Sequence, residues 1–171
     1  FLDSRIGYER WRNYVLEFGL GQRRSIDIPN ENSGQIPSLS TYDRIYGENR
    51  WKFSNIYSLS IGQGELLVTP LQMANLGAIL ANKGHYYRPH LVKSINERPI
   101  ALEQKKLASI DTSYYRYVLD GMQQVVEIGS GRRGFIPDVS ICGKTSTVQN
   151  PQGEDHSGFM GFAPKENPKI A

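Results

Sequence analysis

The sequence predicts an α+β chain in which helices lie against antiparallel strands. Three stretches predict it. "TPLQMANLGAILANKG" carries helix start and stop signals around an apolar run. "DTSYYRYVLDGMQQVVEIG" repeats apolar residues at helical spacing behind a capping residue. "VSICGKTSTVQ" and "HSGFMGFAP" alternate like strands on either side of the turn-forming "NPQGED", the pattern of a β-hairpin with a long loop.

From the N-terminus, "GYERWRNYVLEFGLG" places Trp11, Val15 and Phe18 at helical spacing, with Leu16 beside them and Gly19 as a stop. "QRRSIDIPNENSGQIPSLSTYDRIYGENRW" is rich in Pro, Gly, Asn and Ser and reads as loop. The helix over 69–83 has Thr69 as N-cap, Pro70 at the first helical position and Gly84 after its end. Its apolar residues Leu71, Met73, Ala74, Leu76, Ala78, Ile79 and Leu80 nearly encircle it, which predicts burial on both sides. "HYYRPHLVKSINERPIAL" reads as a short strand pair, held to sheet edges by Pro89 and Pro99. Asp111 or Thr112 caps the next helix, and Tyr114, Tyr117, Val118, Met122 and Val125 make its inner stripe. "GSGRRGFIPD" is a connector to the hairpin. The chain shows no internal repeat and no low-complexity tract.

At 171 residues there is room for one domain with a real core, and 39% hydrophobic residues is a globular composition. A net charge of +3 is too weak to argue for nucleic acid. One cysteine, Cys142, permits no internal disulfide and leaves the compartment open. No apolar run approaches the ~18 residues of a membrane span, and no signal peptide is visible. The chain opens at "FLDSRIGYERW" and stops at "NPKIA", which reads as the start of a strand, so both ends read as cut.

"CGKTSTVQNP" carries the chemistry. Gly143, Lys144 and Thr145 match the end of a phosphate-binding loop, but Asp138 stands where its first glycine belongs. The lysine also lies in a strand-like run, whereas that loop requires strand–loop–helix order. The bland alternative is a solvated strand lysine with ordinary hydroxyl neighbours. His85 and His90 lack the spacing and companions of a zinc site, and His156 reads as a strand-end residue. There is no G-x-S-x-G elbow. Glu154 and Asp155 are solvated turn residues, and "GSGRRG" is a basic turn rather than an RNA-binding element. Gly62 and Gly64 form an entry loop that no lysine follows.

Four phrases change the weighting: "IGQGELLVTPLQMANLGAILANKGHYYRPH", "GMQQVV", "ICGKTSTVQNP" and "HSGFMGFAPKENPKIA". In this order and spacing they resemble the second half of a penicillin-binding protein transpeptidase domain, in particular the class B, elongation-type enzymes that build the side wall of rod-shaped bacteria. "FGLGQRRSIDIPNENSGQIPS" resembles that family's stretch between its second and third active-site motifs. The resemblance covers nearly the whole chain. It implies the penicillin-binding/serine β-lactamase-like fold, an antiparallel five-stranded sheet with helices on both faces. Residues 1–171 would then be the C-terminal part of one transpeptidase domain, with the nucleophile-bearing part absent.

The resemblance also implies the reaction. A serine in S-x-x-K attacks the D-Ala-D-Ala bond of a peptidoglycan stem peptide, S-x-N helps proton transfer, and K-[ST]-G lies on a strand lining the cleft. Penicillins and other β-lactams mimic D-Ala-D-Ala and trap the acyl-enzyme. The third motif falls on Lys144, Thr145 and Ser146, with Thr147 following. Lys144 and Thr147 take catalytic roles; Thr145, Ser146 and Thr147 bind substrate. The physics agrees, because a fixed ammonium attracts the substrate's carboxylate and hydroxyls hold it by charge-assisted hydrogen bonds. Alternate strand residues share a face, so Thr145 and Thr147 can address one anion. The Thr147 N–H would be half of the oxyanion hole. No cofactor and no metal are implied.

Two departures stand out. Ser146 occupies the family's glycine position, where its Cβ would point toward the nucleophile's helix. No serine has a lysine three places on, and the one S-x-N, Ser94-Ile95-Asn96, follows the 69–83 helix instead of preceding it and reads as a coincidence. The expected partners are stem peptides, β-lactams, the missing half of the same domain and other cell-wall synthesis proteins, with no nucleic acid. The expected location is extracytoplasmic, with anchoring to the bacterial inner membrane only through an absent upstream segment. The competing readings are a β-lactamase or β-lactam sensor on the same fold, and a non-catalytic peptide- or partner-binding module.

Overall fold

A computed structural model describes residues 7–24, 26–48, 50–102, 104–106, 109–150 and 152–171. The chain divides into two compact units, one of Phe1–Ser25 with Pro29–Thr69 and one of Ile26–Ile28 with Pro70–Ala171.

The first unit is helical. Helix α1, Tyr8–Glu17, ends with Phe18 as its cap and Gly19 at φ +85, the stop expected from sequence. Tyr8, at its start, is the helix's buried residue, whereas Trp11, Val15 and Phe18 are half-buried. The 22–51 stretch, expected as loop, contains helix α2, Leu39–Tyr46. Ser38 caps it in a reciprocal pair: the Thr41 N–H donates to Ser38 Oγ at 3.2 Å, and the Ser38 N–H donates to Thr41 Oγ1 at 3.2 Å. A short helix α3, Phe53–Ile56, runs into a 3-10 turn over Tyr57–Ile61. Tyr8, Tyr42, Ile56 and Leu59 form the core, with Trp11, Leu39, Trp51, Phe53 and Leu66 packed on it. Each buried aromatic finds a partner for its polar tip. Tyr8 donates to the Pro37 carbonyl at 2.9 Å, and fully buried Tyr42 donates to Glu65 Oε2 at 3.0 Å.

In the second unit, helix α4 covers Pro70–Ala81. It closes with Lys83 at φ +52: the Lys83 N–H donates to Leu80 O at 3.1 Å and the Gly84 N–H to Ile79 O at 2.8 Å, a Schellman ending. Lys83 takes the left-handed position expected of Gly84. Gly84 is needed for another reason, since its φ is +95 and a Cβ there would lie 2.9 Å from Tyr115 Oη. Burial on both sides of α4 is borne out along most of the helix: Gln72, Asn75 and Ile79 are buried on one side and Gly77 and Ala81 on the other, while Leu71 and Ala74, in its first turns, are exposed.

The expected strand pair over 85–102 is two pairs. Strand β1, His85–Tyr87, pairs antiparallel with β4, Gln104–Lys106, and between them β2, Ser94–Ile95, pairs with β3, Arg98–Pro99. Asn96 and Glu97, both at positive φ, make the β2–β3 turn. Asp111 Oδ1 accepts from the Ser113 N–H at 2.8 Å ahead of a 3-10 turn and helix α5, Tyr115–Glu127. The stripe of α5 is also corrected. Tyr115, Leu119, Met122 and Val126 are buried, whereas Tyr114, Tyr117 and Val118 are exposed. Both sets satisfy helical spacing, and the packing of Leu119 and Met122 against Ala81, Cys142 and Phe162 selects the first.

Strands β5, Cys142–Val148, and β6, His156–Phe162, form the expected antiparallel hairpin. Cys142 and Phe162 are directly opposite and pack with Ala81 of α4 and Leu119 and Met122 of α5. Burying Leu119, Met122 and Phe162 contributes about 1.5–3 kcal/mol each.

Candidate functional site

The site is built on β5. Lys144, Thr145, Ser146 and Thr147 lie opposite Met160, Phe159, Gly158 and Ser157 of β6. Lys144, Ser146 and Thr147 are exposed and Thr145 is half-buried. A strand alternates its faces, so Cys142 commits Lys144 and Ser146 to the face covered by α4 and α5 further down. Gly143, Thr145 and Thr147 take the other. The expected pairing of Thr145 with Thr147 therefore holds in the structure, and Lys144 sits mid-strand, which removes the phosphate-loop reading.

Polar contacts fix the triplet. Lys144 Nζ donates to the Thr145 carbonyl at 2.7 Å. Thr145 Oγ1 lies 2.7 Å from Ser130 Oγ. Ser130 stands in the 129–138 connector, whose sequence reads as a basic turn. Gly129 and Gly131 bring it there: a Cβ on Gly129 would lie 2.9 Å from Val125 Cα, and one on Gly131 3.1 Å from Val125 Cγ1. The Gly131 N–H donates back to Val125 O at 2.9 Å. A hydroxyl held between two such glycines was the available signal.

Ser146 is placed by its neighbour on β6. Its hydroxyl occupies the space that a Cβ on Gly158, directly across the hairpin, would need. The hydroxyl is thus accommodated across the ladder by a residue without a side chain. Phe159 lies on the opposite face, its ring against Gly143 and Gly161.

Two further groups hold the hairpin. The Cys142 thiol is fully buried, lies 3.5 Å from Leu119 O, and is pushed up to about 11 by burial. It is an inert core group. Lys165 Nζ lies 2.6 Å from Asp120 Oδ1 and 2.6 Å from Gln123 Oε1, and the hydrogen bond to Asp120 holds its pKa above the usual lysine value. The Lys165 N–H donates to Ser140 O at 2.8 Å, tying the chain after β6 to the entry of β5.

The remaining candidates fall away from this site. Ser94 and Ile95 belong to β2 and Asn96 to its turn, so the S-x-N is part of an exposed hairpin. His85 Nδ1 and His90 Nδ1 sit beside the carbonyls of Asn82 and Arg88, at 3.2 and 3.1 Å. No cluster of metal-ligating side chains occurs among the described residues. No helix among them is long and apolar enough to cross a membrane.

A family model described as the penicillin binding protein transpeptidase domain matches residues 2–171. The peptidoglycan D,D-transpeptidase MrdA of Acinetobacter baumannii is 30% identical over 191 aligned residues, covering 99% of this chain and 28% of that protein. The chain thus spans under a third of that relative's length. The crystal structure of Pseudomonas aeruginosa PBP2 in complex with WCK 5153 superposes with a TM-score of 0.82 at 37% identity, over 96% of this chain and 38% of that one. A complex between PBP2 and MreC from Helicobacter pylori aligns with a TM-score of 0.79 at 25% identity, over 95% of this chain and 30% of that one.

Proposed function

The chain belongs to the penicillin-binding protein transpeptidase family, and on that premise we propose that it supplies the carboxylate-binding strand of a peptidoglycan D,D-transpeptidase. The observation that carries this is the K-T-S-T run on β5, with Thr145 and Thr147 on one face and Lys144 on the other.

In this reading the terminal carboxylate of a D-Ala-D-Ala stem peptide, or that of a β-lactam, docks along β5. Thr145 and Thr147 donate hydroxyl hydrogens to it, as charge-assisted bonds that are shorter and stronger than neutral ones. Ser146 contributes to substrate contact through its backbone, its hydroxyl being turned toward Gly158. The Thr147 N–H faces the carbonyl oxygen that becomes an oxyanion, and one such donor is worth about 10²–10³ in rate. Lys144 places its ammonium beside the nucleophile, a serine outside this sequence. Attack forms the acyl-enzyme and releases D-alanine, and a second stem-peptide amine then takes the acyl group. The full-length protein acts outside the cytoplasm, anchored in the bacterial inner membrane, with other cell-wall synthesis proteins as partners. The Helicobacter pylori PBP2–MreC complex supports the partner class.

One observation favours a second reading, a non-catalytic module: Ser146 stands in the family's glycine position. Labelling of the full-length protein by fluorescent penicillin separates the two. Covalent labelling, with Thr147→Val lowering the acylation rate about tenfold through loss of one hydrogen bond to a charged group, supports the transpeptidase. Absence of labelling supports the module. Labelling with a rate unchanged in Thr147→Val refutes the carboxylate role.

A further inference from the structure

We propose that Ser130 is a positioning residue for Thr145, setting which way the Thr145 hydroxyl points its hydrogen; the proposal rests on the transpeptidase reading. The two oxygens are 2.7 Å apart, and the residues are 15 positions apart in sequence, so the contact is made by the fold rather than by local chain geometry.

The chemistry of two hydroxyls gives the direction. A threonine hydroxyl has one hydrogen to donate and two lone pairs to accept with. A carboxylate accepts only, so Thr145 must spend its hydrogen on the anion. Ser130 then donates to Thr145 Oγ1, and a hydroxyl that accepts one bond is polarised to donate a stronger one. With Ser130 as acceptor instead, Thr145 would present lone pairs to an anion. An arriving carboxylate selects the first arrangement, and the Ser130–Thr145 bond holds the Thr145 rotamer for it in advance.

Ser130 is itself held. The carbonyl of Val125 receives the Gly131 N–H at 2.9 Å, and the carbonyl of Gly129 receives the Arg132 N–H at 3.2 Å. Arg132 Nη1 donates to the Glu127 carbonyl at 2.5 Å, closing the last turn of α5. The segment carrying Ser130 is thereby fixed to the end of α5, and α5 to β5 through Leu119, Met122 and Cys142. Thr145 is oriented by a rigid neighbour and not by a loop tip.

The test uses the full-length protein and two ligands, benzylpenicillin and its methyl ester, which lacks the carboxylate charge. Ser130→Ala should slow acylation by the free acid roughly fivefold, the value of one hydrogen bond, and slow the ester less, because a neutral ester carbonyl accepts a weaker hydrogen bond than a carboxylate. Ser130→Thr, which keeps the hydroxyl, should restore the free-acid rate. In a Thr145→Val background Ser130→Ala should add nothing further, because its action passes through Thr145. Equal slowing of both ligands, or additive effects of the two substitutions, overturns the proposal, as does an unchanged free-acid rate in Ser130→Ala. If Thr145→Val and Thr147→Val slow the acid while Ser130→Ala does not, the positioning role alone fails. If none of them slows it, or the unsubstituted protein is not acylated, the carboxylate-binding reading fails with it.

Discussion

The face of β5–β6 that carries Thr145 and Thr147 is surfaced by one aromatic ring, and its removal has calculable consequences. Phe159 lies across Gly143 and Gly161 and is 52% exposed, so about half of the side chain is covered. A phenylalanine offers about 200 Å² to burial. Covering roughly 100 Å² at about 25 cal/mol per Å² contributes up to ~2.5 kcal/mol. A Cβ on Gly143 would come within 2.6 Å of Phe159 Cε2, and closer still to Cζ, so Gly143→Ala must push the ring off its shelf. It should cost about what Phe159→Ala costs, up to ~2.5 kcal/mol, and the two substitutions together should cost scarcely more than either. Gly161→Ala is a different case. Its Cβ would lie 2.8 Å from Phe159 Cε1 and also 2.8 Å from the Cys142 carbonyl oxygen. The carbonyl belongs to the strand ladder and cannot swing aside, so an overpacking cost of ~1–3 kcal/mol should persist after the ring is gone. Native-state hydrogen exchange of the β5 and β6 amides measures all of these in one experiment. Additivity of Gly143→Ala with Phe159→Ala, or a Gly161→Ala that becomes neutral in the Phe159→Ala background, would refute the ring-on-shelf account.

Asp27 accepts the N–H groups of Leu91 and Val92, each at 2.7 Å, and these bonds lower its pKa below the usual carboxylate range. A depressed folded-state pKa contributes stability above the unfolded value, about 3.9, and loses it as pH falls through the folded one. Exchange protection of the Leu91 and Val92 amides should therefore be lost selectively at low pH and in Asp27→Ala at neutral pH; protection that survives in Asp27→Ala argues against the clip. Gly84→Ala combines φ +95 with a Cβ 2.9 Å from Tyr115 Oη. It should lower stability by about 1–3 kcal/mol in urea denaturation, and a change within ~0.5 kcal/mol would show that the turn relaxes.

Legibility in the sequence followed how local each signal was. Helix α4 was readable because Thr69, Pro70 and Gly84, start and stop signals in sequence, directly flank its apolar run. Helix α2 was not, because its Ser38 cap sits in a segment whose Pro, Gly, Asn and Ser content reads as loop, and because Thr41 replaces the Glu or Gln that usually completes the reciprocal pair. In α5 the sequence offers two apolar stripes one residue apart, both at helical spacing. The packing of Leu119 and Met122 on Cys142 and Phe162 of the hairpin decides between them, a contact that no window of hydrophobicity records.

The hairpin reverses the usual difficulty of strands, since β5 and β6 are joined directly and their alternation predicts the register. The chemistry of the triplet was readable for the same reason, because K-T-S-T needs only neighbouring residues and a period of two. What was hidden depends on which residues meet across the ladder and across the connector. Ser130 reaches Thr145 only once α5 has been laid on β5. Gly158 meets Ser146 only once the hairpin pairs in this register. That second meeting alters how the Ser146 departure is understood. Read along the strand, a side chain at a glycine position is an intrusion into the cleft. Read across it, the side chain fills a space that Gly158 leaves empty, so the departure and the glycine opposite are parts of one arrangement. A substitution in this triplet is therefore judged by its partner on β6 as much as by its place in the motif.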